Sequence, residues 1–476
     1  MYSELNPKEV FYWFEKISEI PRCSGDEKRV SDFLAQFAVK RNLDYIQDKE
    51  LNVIIKKPAT SGYEDSDTVI IQGHMDMVCE KSSDSGHDFT CDPIELIVDG
   101  DVVRANNTTL GADNGIAVAF GLAILDSVDI SHPALELLVT TNEETGMDGA
   151  AVVRGENLDG KIMLNIDSDV EGTFLVSCAG GVNQTATFDL KREACDSIGI
   201  KIVVKGLKGG HSGVEIIQQR GNAIKILARL INGLRNETGT TISYIKGGSK
   251  HNAIANYAEA LVTTDNYKAA SDLLNELAKS IAEEFAVEEP DLEVNLSEEK
   301  VDSCLETEIS ESILDFLMMT PDGVQSMSKN IENLVETSLN TGIVSEQDNV
   351  LSVVYALRSS SASSLSNLEN TIKIMAKRVG ADIISSNGYP AWEYEPNSKA
   401  REVASRVYSE VFGEEAKIGA IHAGLECGIL KKALPDTDMI SFGPNIYGAH
   451  TTTESLSIKS VQRVWKFVLK LLEELK

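Results

Sequence analysis

The chain has 476 residues, of which 42% are hydrophobic and 25% charged, and its formal net charge is −30. Because single domains usually have roughly 100–200 residues, this length predicts two or three domains. The negative charge repels phosphate backbones and anionic lipids, so neither nucleic acid nor a membrane surface is an expected partner. No apolar stretch approaches the roughly 20 residues of a membrane span, which indicates a soluble globular protein.

Two features predict a cytoplasmic location. The N-terminal segment lacks the basic and apolar regions of an export signal. The cysteines are scattered and form no C-x-x-C pair, which favours reduced thiols over a disulfide framework or a structural zinc site. They are Cys23, Cys79, Cys91, Cys178, Cys195, Cys304 and Cys427.

Three apolar segments in the first part of the chain each end in His, Asp or Glu. They are "TVIIQGHMD" from Thr68 to Asp76, "LELLVTTNEE" from Leu135 to Glu144, and "KIMLNIDSD" from Lys161 to Asp169. The first and third are continuous enough to predict buried strands. Between the first two, "IELIVDGDVVRA" predicts a hairpin that turns at Asp99 and Gly100.

The segment "GADNGIAVAFGLAILDS" begins with glycine and continues as an apolar helix. Asp113 and Asn114 are therefore expected at or near the N-terminus of that helix.

The character of the chain changes after about residue 180. Strand and helix patterns then follow in the order βαββαβ, which is the ferredoxin-like plan, and much of that order repeats from Glu306 onward. The end of the chain returns to the first style. We therefore predict an α/β protein with a central mixed sheet in residues 1–181 and 385–476, interrupted by a duplicated α+β insert in residues 182–384.

Seven residues at predicted strand or helix ends can carry chemistry together. Any one of them alone is as readily a packed histidine or a turn-capping acid. Because strand ends of an open α/β sheet converge on one crevice, distant residues can meet there. Histidine and carboxylate ligands suit divalent zinc, manganese or cobalt. The seven are His74, Asp76, Asp113, Glu143, Glu144, Asp167 and His450.

The adjacent glutamates suggest a division of labour. On an extended chain Glu144 would bind metal while Glu143 faces the other way and remains free as a base. Asp113, a short acid in a glycine-bounded turn, suits the bridging position between two metals about 3.5–4 Å apart. Asp76 lies two residues beyond His74 and can orient its imidazole, although a solvated turn carboxylate is the alternative.

Several motifs resemble one family along nearly the whole chain. "GHMDMV", "GADNGIAVA", "NEETGMDGA", "NIDSD", "GGHSG", "HAGLECG" and "GPNIYGAHTTTE" are similar to the aminoacyl-histidine dipeptidases, a branch of the di-zinc family that includes carnosinases and aminoacylases. The resemblance implies a catalytic domain with a lid. It also implies that His74 and Asp167 bind one metal, that Glu144 and His450 bind the other, and that Asp113 bridges them, with Glu143 as general base and Asp76 orienting His74.

The same resemblance implies further roles. The Asp113–Asn114 peptide bond is expected to be cis. His211 in the insert would polarise the substrate carbonyl, and Asn252 and Arg358 would hold the substrate's C-terminal carboxylate, with a surface cation as the alternative for Arg358.

Two residues of the returning catalytic segment, in "IHAGLECGIL", are also candidates. Glu426 would receive the free α-amine of a dipeptide, and His422 is a second candidate for substrate binding. A helix-cap histidine and a solvated glutamate are the alternatives.

The resulting hypothesis is metal-dependent hydrolysis of dipeptides, favouring Xaa-His, with two Zn²⁺ ions or Mn²⁺ or Co²⁺ in their place. Relatives are commonly dimers, so a homodimer is also suggested. The alternatives are an aminotripeptidase or an N-acyl-amino-acid deacylase with the same metals, a non-catalytic binding protein, and a metal-storage protein. The last two would require loss of a site residue and long acidic runs, respectively, and the sequence has neither.

Overall fold

The computed structural model describes residues 5–238 and 240–476. The chain forms two compact units. The first comprises Met1–Ser177, Tyr394–Ala420 and Leu425–Lys476, and the second comprises Cys178–Glu393 and Ile421–Gly424.

The elements are numbered in chain order. The helices are α1 (Lys8–Ser18), α2 (Lys28–Lys40), α3 (Ala112–Asp126), α4 (Glu143–Gly146), α5 (Asp148–Val152), α6 (Ala223–Thr238), α7 (Tyr267–Glu284), α8 (Thr307–Met319), α9 (Ala362–Arg378), α10 (Lys399–Phe412), α11 (Glu426–Ala433) and α12 (Ile458–Glu474). The strands of the first unit are β1 (Asp44–Gln47), β2 (Val53–Lys57), β3 (Val69–His74), β4 (Leu96–Asp99), β5 (Val102–Ala105), β6 (Leu135–Thr140), β7 (Ile162–Asn165), β8 (Thr173–Cys178), β18 (Lys417–Ile421), β19 (Asp438–Ser441), β20 (Ile446–Tyr447) and β21 (Ser455–Ser457), where β8 and β18 each end one residue beyond it. The second unit contains β9 (Gly180–Asp189), β10 (Arg192–Lys205), β11 (Ile242–Gly247), β12 (Ala258–Thr263), β13 (Glu293–Leu305), β14 (Gly323–Met327), β15 (Val335–Gln347), β16 (Val350–Ser359) and β17 (Asp382–Tyr389).

A mixed sheet forms the centre of the first unit, in the order β1-β2-β6-β3-β7-β19-β8-β18. Strand β3 pairs in parallel with β6 and with β7, and all six residues of both β3 and β6 are buried. Their continuous apolar runs reflect burial on both faces. Because the three strands run in parallel, their C-terminal ends lie at the same edge of the sheet.

Helix α3 is the most buried helix of this unit, and it packs against α1 and β3. Its apolar residues surround the axis, whereas α12 buries only one face, with Val461, Val464, Val468 and Leu472 in the same core. The predicted hairpin is present as β4 and β5, which pair antiparallel across Asp99↔Val102. The buried apolar residues of α3 therefore fix the helix in the core, and with it the polar residues at its N-terminus.

The second unit consists of two βαββαβ halves. Strands β10, β11, β12 and β13 with α6 and α7 form one half, with sheet order β13-β10-β12-β11. In the other half β9, β15, β16 and β17 combine with α8 and α9, in the order β15-β16-β9-β17. The halves meet where β11 pairs with β15. The first strand of the second half, β9, precedes the whole first half in the chain.

The prediction of reduced cysteines is wrong for Cys23 and Cys79, which form a disulfide with a Cα–Cα distance of 5.7 Å. They are 56 residues apart in sequence. The fold brings them together because the Ser24 N–H donates to the Met77 carbonyl and the Met77 N–H donates to the Arg22 carbonyl. Spacing along the chain gives no sign of this pairing.

No helix among the described residues combines the length and the apolar composition that a bilayer crossing demands.

Candidate active site

Five candidate ligands lie at one edge of the first unit's sheet. His74 is the last residue of β3, Glu144 follows β6, and Asp167 follows β7. Asp113 is near the start of α3, where the backbone of Asp113 and Asn114 is not helical. His450 lies between β20 and β21. The strand-end pattern in the sequence thus corresponds to one place in the fold.

Asp113 lies between two histidines. Its Oδ1 is 3.1 Å from His74 Nε2 and its Oδ2 is 3.1 Å from His450 Nε2. Asp167 Oδ1 lies 3.6 Å from His74 Nε2, and Glu144 Oε2 lies 3.0 Å from His450 Nε2. The side chains therefore form two His–carboxylate sets that share Asp113, and the ligand atoms of each set lie within 4.8 Å of one another.

The donor set and its spacing fit two divalent ions. Ligands about 2.0–2.1 Å from a tetrahedral zinc lie about 3.3 Å from each other, close to the separations seen here. Glu144 Oε1 is buried without a hydrogen-bond partner among the described residues, so an oxygen is left to bind a cation. Imidazole and carboxylate together suit zinc, manganese or cobalt.

Without metal, the charges of this cluster shift each other's pKa values. Burial opposes a charge on His74, but Asp167, Asp113 and Asp76 outweigh it and raise its pKa well above the usual range. Hydrogen bonds to Asp113 and Glu144 raise the pKa of His450 to about 10. Burial raises the pKa of Asp167 to about 6. The same carboxylates that raise the pKa values of the two histidines would also attract divalent cations.

Asp76 is the most connected carboxylate of the site and is fully buried. Its oxygens accept hydrogen bonds from the Ser24 hydroxyl at 2.8 Å and from the N–H groups of Glu143 and Glu144 at 3.1 and 3.3 Å. His74 Nδ1 lies 3.3 Å from Asp76 Oδ1, which leaves Nε2 facing Asp113. The alternative of a solvated turn carboxylate is excluded. The contribution of Ser24 has no motif in the sequence.

The backbone at the paired glutamates is helical, so the prediction of an extended chain there is wrong. Asn142 adopts a left-handed conformation with φ 55°, and Glu143 and Glu144 begin the short helix α4. Adjacent helical side chains point about 100° apart, so the two carboxylates still diverge. Burial, together with Asp167, Glu426 and Glu144, raises the pKa of Glu143 well above its usual range.

Asn114 connects three parts of the site. Its side-chain oxygen accepts from the His74 N–H at 3.3 Å and its amide donates to the Ile166 carbonyl at 2.8 Å. The Asp113–Asn114 peptide bond is cis, as the resemblance implies. A Cβ at Gly73 would lie 2.3 Å from the Asn114 oxygen, so only glycine fits next to His74 at this crossing.

Glu426 is fully buried near this cluster, which excludes the solvated alternative. Its Oε2 accepts from Gln72 Nε2 at 2.6 Å and from Thr140 Oγ1 at 2.7 Å, while Oε1 is buried without a hydrogen-bond partner among the described residues. Burial raises the pKa of Glu426 to about 7. Gln72 and Thr140 were not predicted, because each is an ordinary polar residue within a strand.

Comparisons with known proteins identify the family of the chain. Residues 70–474 match the model of the peptidase family M20/M25/M40. The chain belongs to this family. The Escherichia coli (strain K12) protein described as cytosol non-specific dipeptidase is 37% identical over 478 aligned residues, which cover 99% of each chain.

Solved structures extend the M20-family comparison. The aminoacylhistidine dipeptidase of Vibrio alginolyticus has a TM-score of 0.94 and 37% identity, covering 99% of this chain and 98% of that one. Aminopeptidase PepT of Bacillus cereus, with a TM-score of 0.57 and 16% identity over 99% of each chain, shows the fold alone. The predicted family, fold class and enzyme class, a hydrolase acting on peptide bonds, are confirmed.

The second unit of this M20-family protein contains His211, which is half-buried. Its Nδ1 accepts from the N–H groups of Gly213 and Val214 at 3.2 and 3.3 Å. A neutral imidazole with Nδ1 as acceptor carries its proton on Nε2. Burial and the Arg358 guanidinium lower the pKa of His211, which favours this neutral donor form.

Three further predicted residues also lie in the second unit. Arg358 donates from Nη1 to the Tyr389 hydroxyl at 2.5 Å and is partly buried, unlike a free surface cation. His422 Nε2 lies 2.7 Å from the Ser338 hydroxyl, so this histidine is no helix cap. Its segment, residues 421–424, belongs to the second unit, whereas the sequence predicts that it belongs to the catalytic domain. Asn252 is next to His211 through its carbonyl, which accepts from the Ser212 N–H at 2.9 Å.

Proposed function

We propose that this protein hydrolyses dipeptides, including Xaa-His dipeptides, with two divalent metal ions, Zn²⁺ before Mn²⁺ or Co²⁺. The observation that carries the proposal is the pair of His–carboxylate sets sharing Asp113, with the protonatable Glu143 beside them. The names of the two relatives at 37% identity support dipeptides as the substrate class.

The proposed ligands follow the distances. His74 and Asp167 hold one ion, His450 and Glu144 hold the other, and Asp113 is shared. When bound, the ions supply Lewis acidity that polarises the peptide carbonyl and lowers the pKa of water. Asp76 fixes the tautomer of His74 and holds the turn that carries both glutamates.

Glu143 is the proposed general base. Its carboxylate removes a proton from the attacking water and later delivers it to the leaving amine. Burial and the neighbouring carboxylates raise its pKa, which suits a group that must accept and then release a proton. Asp76 positions the Glu143 backbone through the N–H group.

Residues with unpaired hydrogen-bonding atoms are the proposed binding partners of the dipeptide substrate. In the first unit, Glu426 Oε1 would accept the free α-amine, and Gln72 and Thr140 keep its other oxygen in place. In the second unit, His211 Nε2–H would donate to the carbonyl oxygen of the scissile bond as negative charge develops there. Arg358, with Asn252, would bind the C-terminal carboxylate, and its Nε is buried without a partner among the described residues.

A substrate panel on the chelated protein, reconstituted separately with Zn²⁺, Mn²⁺ and Co²⁺, tests the proposal. The substrates are β-Ala-His, Ala-His, Cys-Gly, Gly-Gly, Ala-Ala-Ala and N-acetyl-alanine. Dipeptides should be hydrolysed fastest, and only after metal is restored. Faster hydrolysis of the tripeptide would favour an aminotripeptidase, and faster hydrolysis of the acetyl compound a deacylase. No hydrolysis by a protein that binds two ions would indicate a binding protein.

Cytoplasmic location and a homodimer remain part of the proposal. The name of the Escherichia coli relative supports the first. Cell fractionation with an antibody against the chain tests location, and light scattering after size-exclusion chromatography tests the oligomeric state.

A further inference from the structure

Glu454 is a buried carboxylate to which no catalytic role has been given above. It is 2% exposed and lies four positions after His450. Its Oε2 accepts from the N–H groups of Leu110 and Gly111 at 2.8 and 3.0 Å, and its Oε1 accepts from those of Ala112 and Asp113 at 2.8 and 3.4 Å. Residues 110–113, here called the Asp113 loop, therefore direct four consecutive N–H groups at one side chain.

The other side of the Asp113 loop is held by a buried cation. Arg22 donates from Nη2 to the Gly111 carbonyl at 2.5 Å and from Nη1 to the carbonyls of Met75 and Asp76 at 3.0 and 3.1 Å. Gly111 has φ +68°, and a Cβ there would lie 2.5 Å from Arg22 Nη2. The loop is thus fixed to the segment that follows His74 as well as to Glu454.

Burial of the Glu454 carboxylate is energetically unfavourable, which indicates that this residue has a role. A carboxylate buried near Asp113 adds negative charge to a site that is already acidic, and burial disfavours its ionised form. The helix start could satisfy its N–H groups with a local capping side chain, yet the cap residue Gly111 has none. The chain uses a residue more than 340 positions away instead, and that residue belongs to the segment of His450.

We propose that Glu454 is a positioning residue that holds the Asp113 loop in its metal-binding conformation before metal arrives and ties it to residues 448–454, which carry His450. The proposal rests on the proposed function in that Asp113 and His450 are taken as metal ligands. Glu454 itself touches neither metal nor substrate. It acts through the backbone of one ligand and the loop of another.

Glu136 is a matched control in the same unit. It is 2% exposed and is the second residue of β6, far along the strand from the paired glutamates. It accepts from the N–H groups of Asp159 and Gly160 at 3.0 Å, and it also pairs with Lys56 at 2.7 Å. Glu136→Gln and Glu454→Gln each place an amide N–H₂ where a carboxylate oxygen accepted from backbone N–H groups. Both should lower the melting temperature of the metal-free protein. Only Glu454→Gln should alter metal binding.

The experiment measures Zn²⁺ and Co²⁺ affinity by chelator competition without any peptide present. Glu454→Gln should weaken binding of the ions by about 10- to 100-fold, as other changes to groups that orient metal ligands do. Glu136→Gln should bind like the wild type. Unchanged affinity in Glu454→Gln, or an equal loss in both variants, would overturn the proposal. A wild-type protein that binds no pair of ions would instead overturn the proposed function.

A second measurement does not depend on the variant folding well. Hydrogen exchange of the metal-free wild type should show the amides of residues 110–113 to be protected, because they donate hydrogen bonds to Glu454 even when no metal is bound. Rapid exchange there, with protection appearing only after Zn²⁺ is added, would contradict a preformed loop. Glu454→Asp, which keeps the charge but is one methylene shorter, should show an intermediate loss of both protection and affinity.

Discussion

The proposed metal ligands of the first unit and the proposed substrate residues of the second unit are held in different ways. In the first unit each ligand contacts another charged ligand, and Asp76 and Asn114 fix the backbone that carries them. In the second unit His422 Nδ1 and Arg358 Nε are buried with no hydrogen-bond partner among the described residues. In the first cluster the histidines and carboxylates pair with one another, and the carboxylates can also bind cations. The second leaves hydrogen-bonding capacity that a substrate can satisfy.

The largest effect expected from this difference is that of Asp113→Ala. Both His–carboxylate sets lose their shared member, so neither ion is held tightly and hydrolysis falls below detection. Metal content after dialysis, measured by mass spectrometry, checks this. Asp126→Ala, at the other end of α3, is the control and should retain both ions. Two ions bound per chain in Asp113→Ala would show that the aspartate is not shared.

Glu143→Gln separates chemistry from metal binding within the first unit. Removing a general base typically costs about 10²- to 10⁴-fold in rate, so kcat should fall by that amount while two ions remain bound. Glu144→Gln is the matched neighbour and should lose metal first, because Glu144 faces His450. Kinetics and metal content are measured on the same preparations. Normal kcat in Glu143→Gln would exclude it as the base.

His211→Ala tests the second unit. Loss of a donor to a developing oxyanion typically costs about 10²- to 10³-fold in kcat. Metal affinity should not change, since both His–carboxylate sets consist of residues from the first unit. The control is His251→Gln, which replaces an exposed histidine of the same unit. A kcat equal to that of wild type would make His211 a structural residue, held by the N–H groups of Gly213 and Val214.

The sequence predicts that the candidate metal ligands lie together, because four of the five lie at or next to the end of a strand or the start of a helix, whereas His450 lies in the loop between β20 and β21. His74, Glu144 and Asp167 follow parallel neighbours β3, β6 and β7, so the pattern along the chain is also a pattern in space. The two βαββαβ halves are equally readable, although β9 precedes the half that it completes. Local order along the chain is enough for these features.

The residues that hold the candidate ligands in place cannot be predicted from the sequence, because their contacts are with distant parts of the chain. Glu454 and Arg22 act on backbone groups at residues 110–113 and 75–76, and no motif reports which backbone a side chain will reach. The Cys23–Cys79 disulfide likewise depends on a pairing between distant segments. Gln72 is recognised only when Glu426 is placed beside it. The candidate metal ligands can be recognised by the chemistry of their side chains, whereas the residues that hold them can be recognised only in the folded structure.

The smallest effect at neutral pH is expected for the folding stability of His422→Gln. Burial, the Arg358 guanidinium and His211 lower the pKa of His422 to about 3. Above the unfolded value of about 6.5 both states are neutral and the histidine costs nothing. As pH falls below that value, the unfolded chain takes up a proton that the folded chain refuses. Stability is therefore lost progressively from pH about 6.5 toward 3, by at most about 1.4 kcal/mol per pH unit.

Glutamine can still bond to the Ser338 hydroxyl but does not titrate, so His422→Gln should remove this loss. Urea unfolding of the metal-free protein at pH 7, 6, 5 and 4 gives the comparison. The variant should gain stability relative to wild type at each step below 6.5. A constant difference between variant and wild type across this range would mean that His422 accepts a proton in the folded second unit. The His422 ring would then have a negatively charged partner, as the rings of His74 and His450 do.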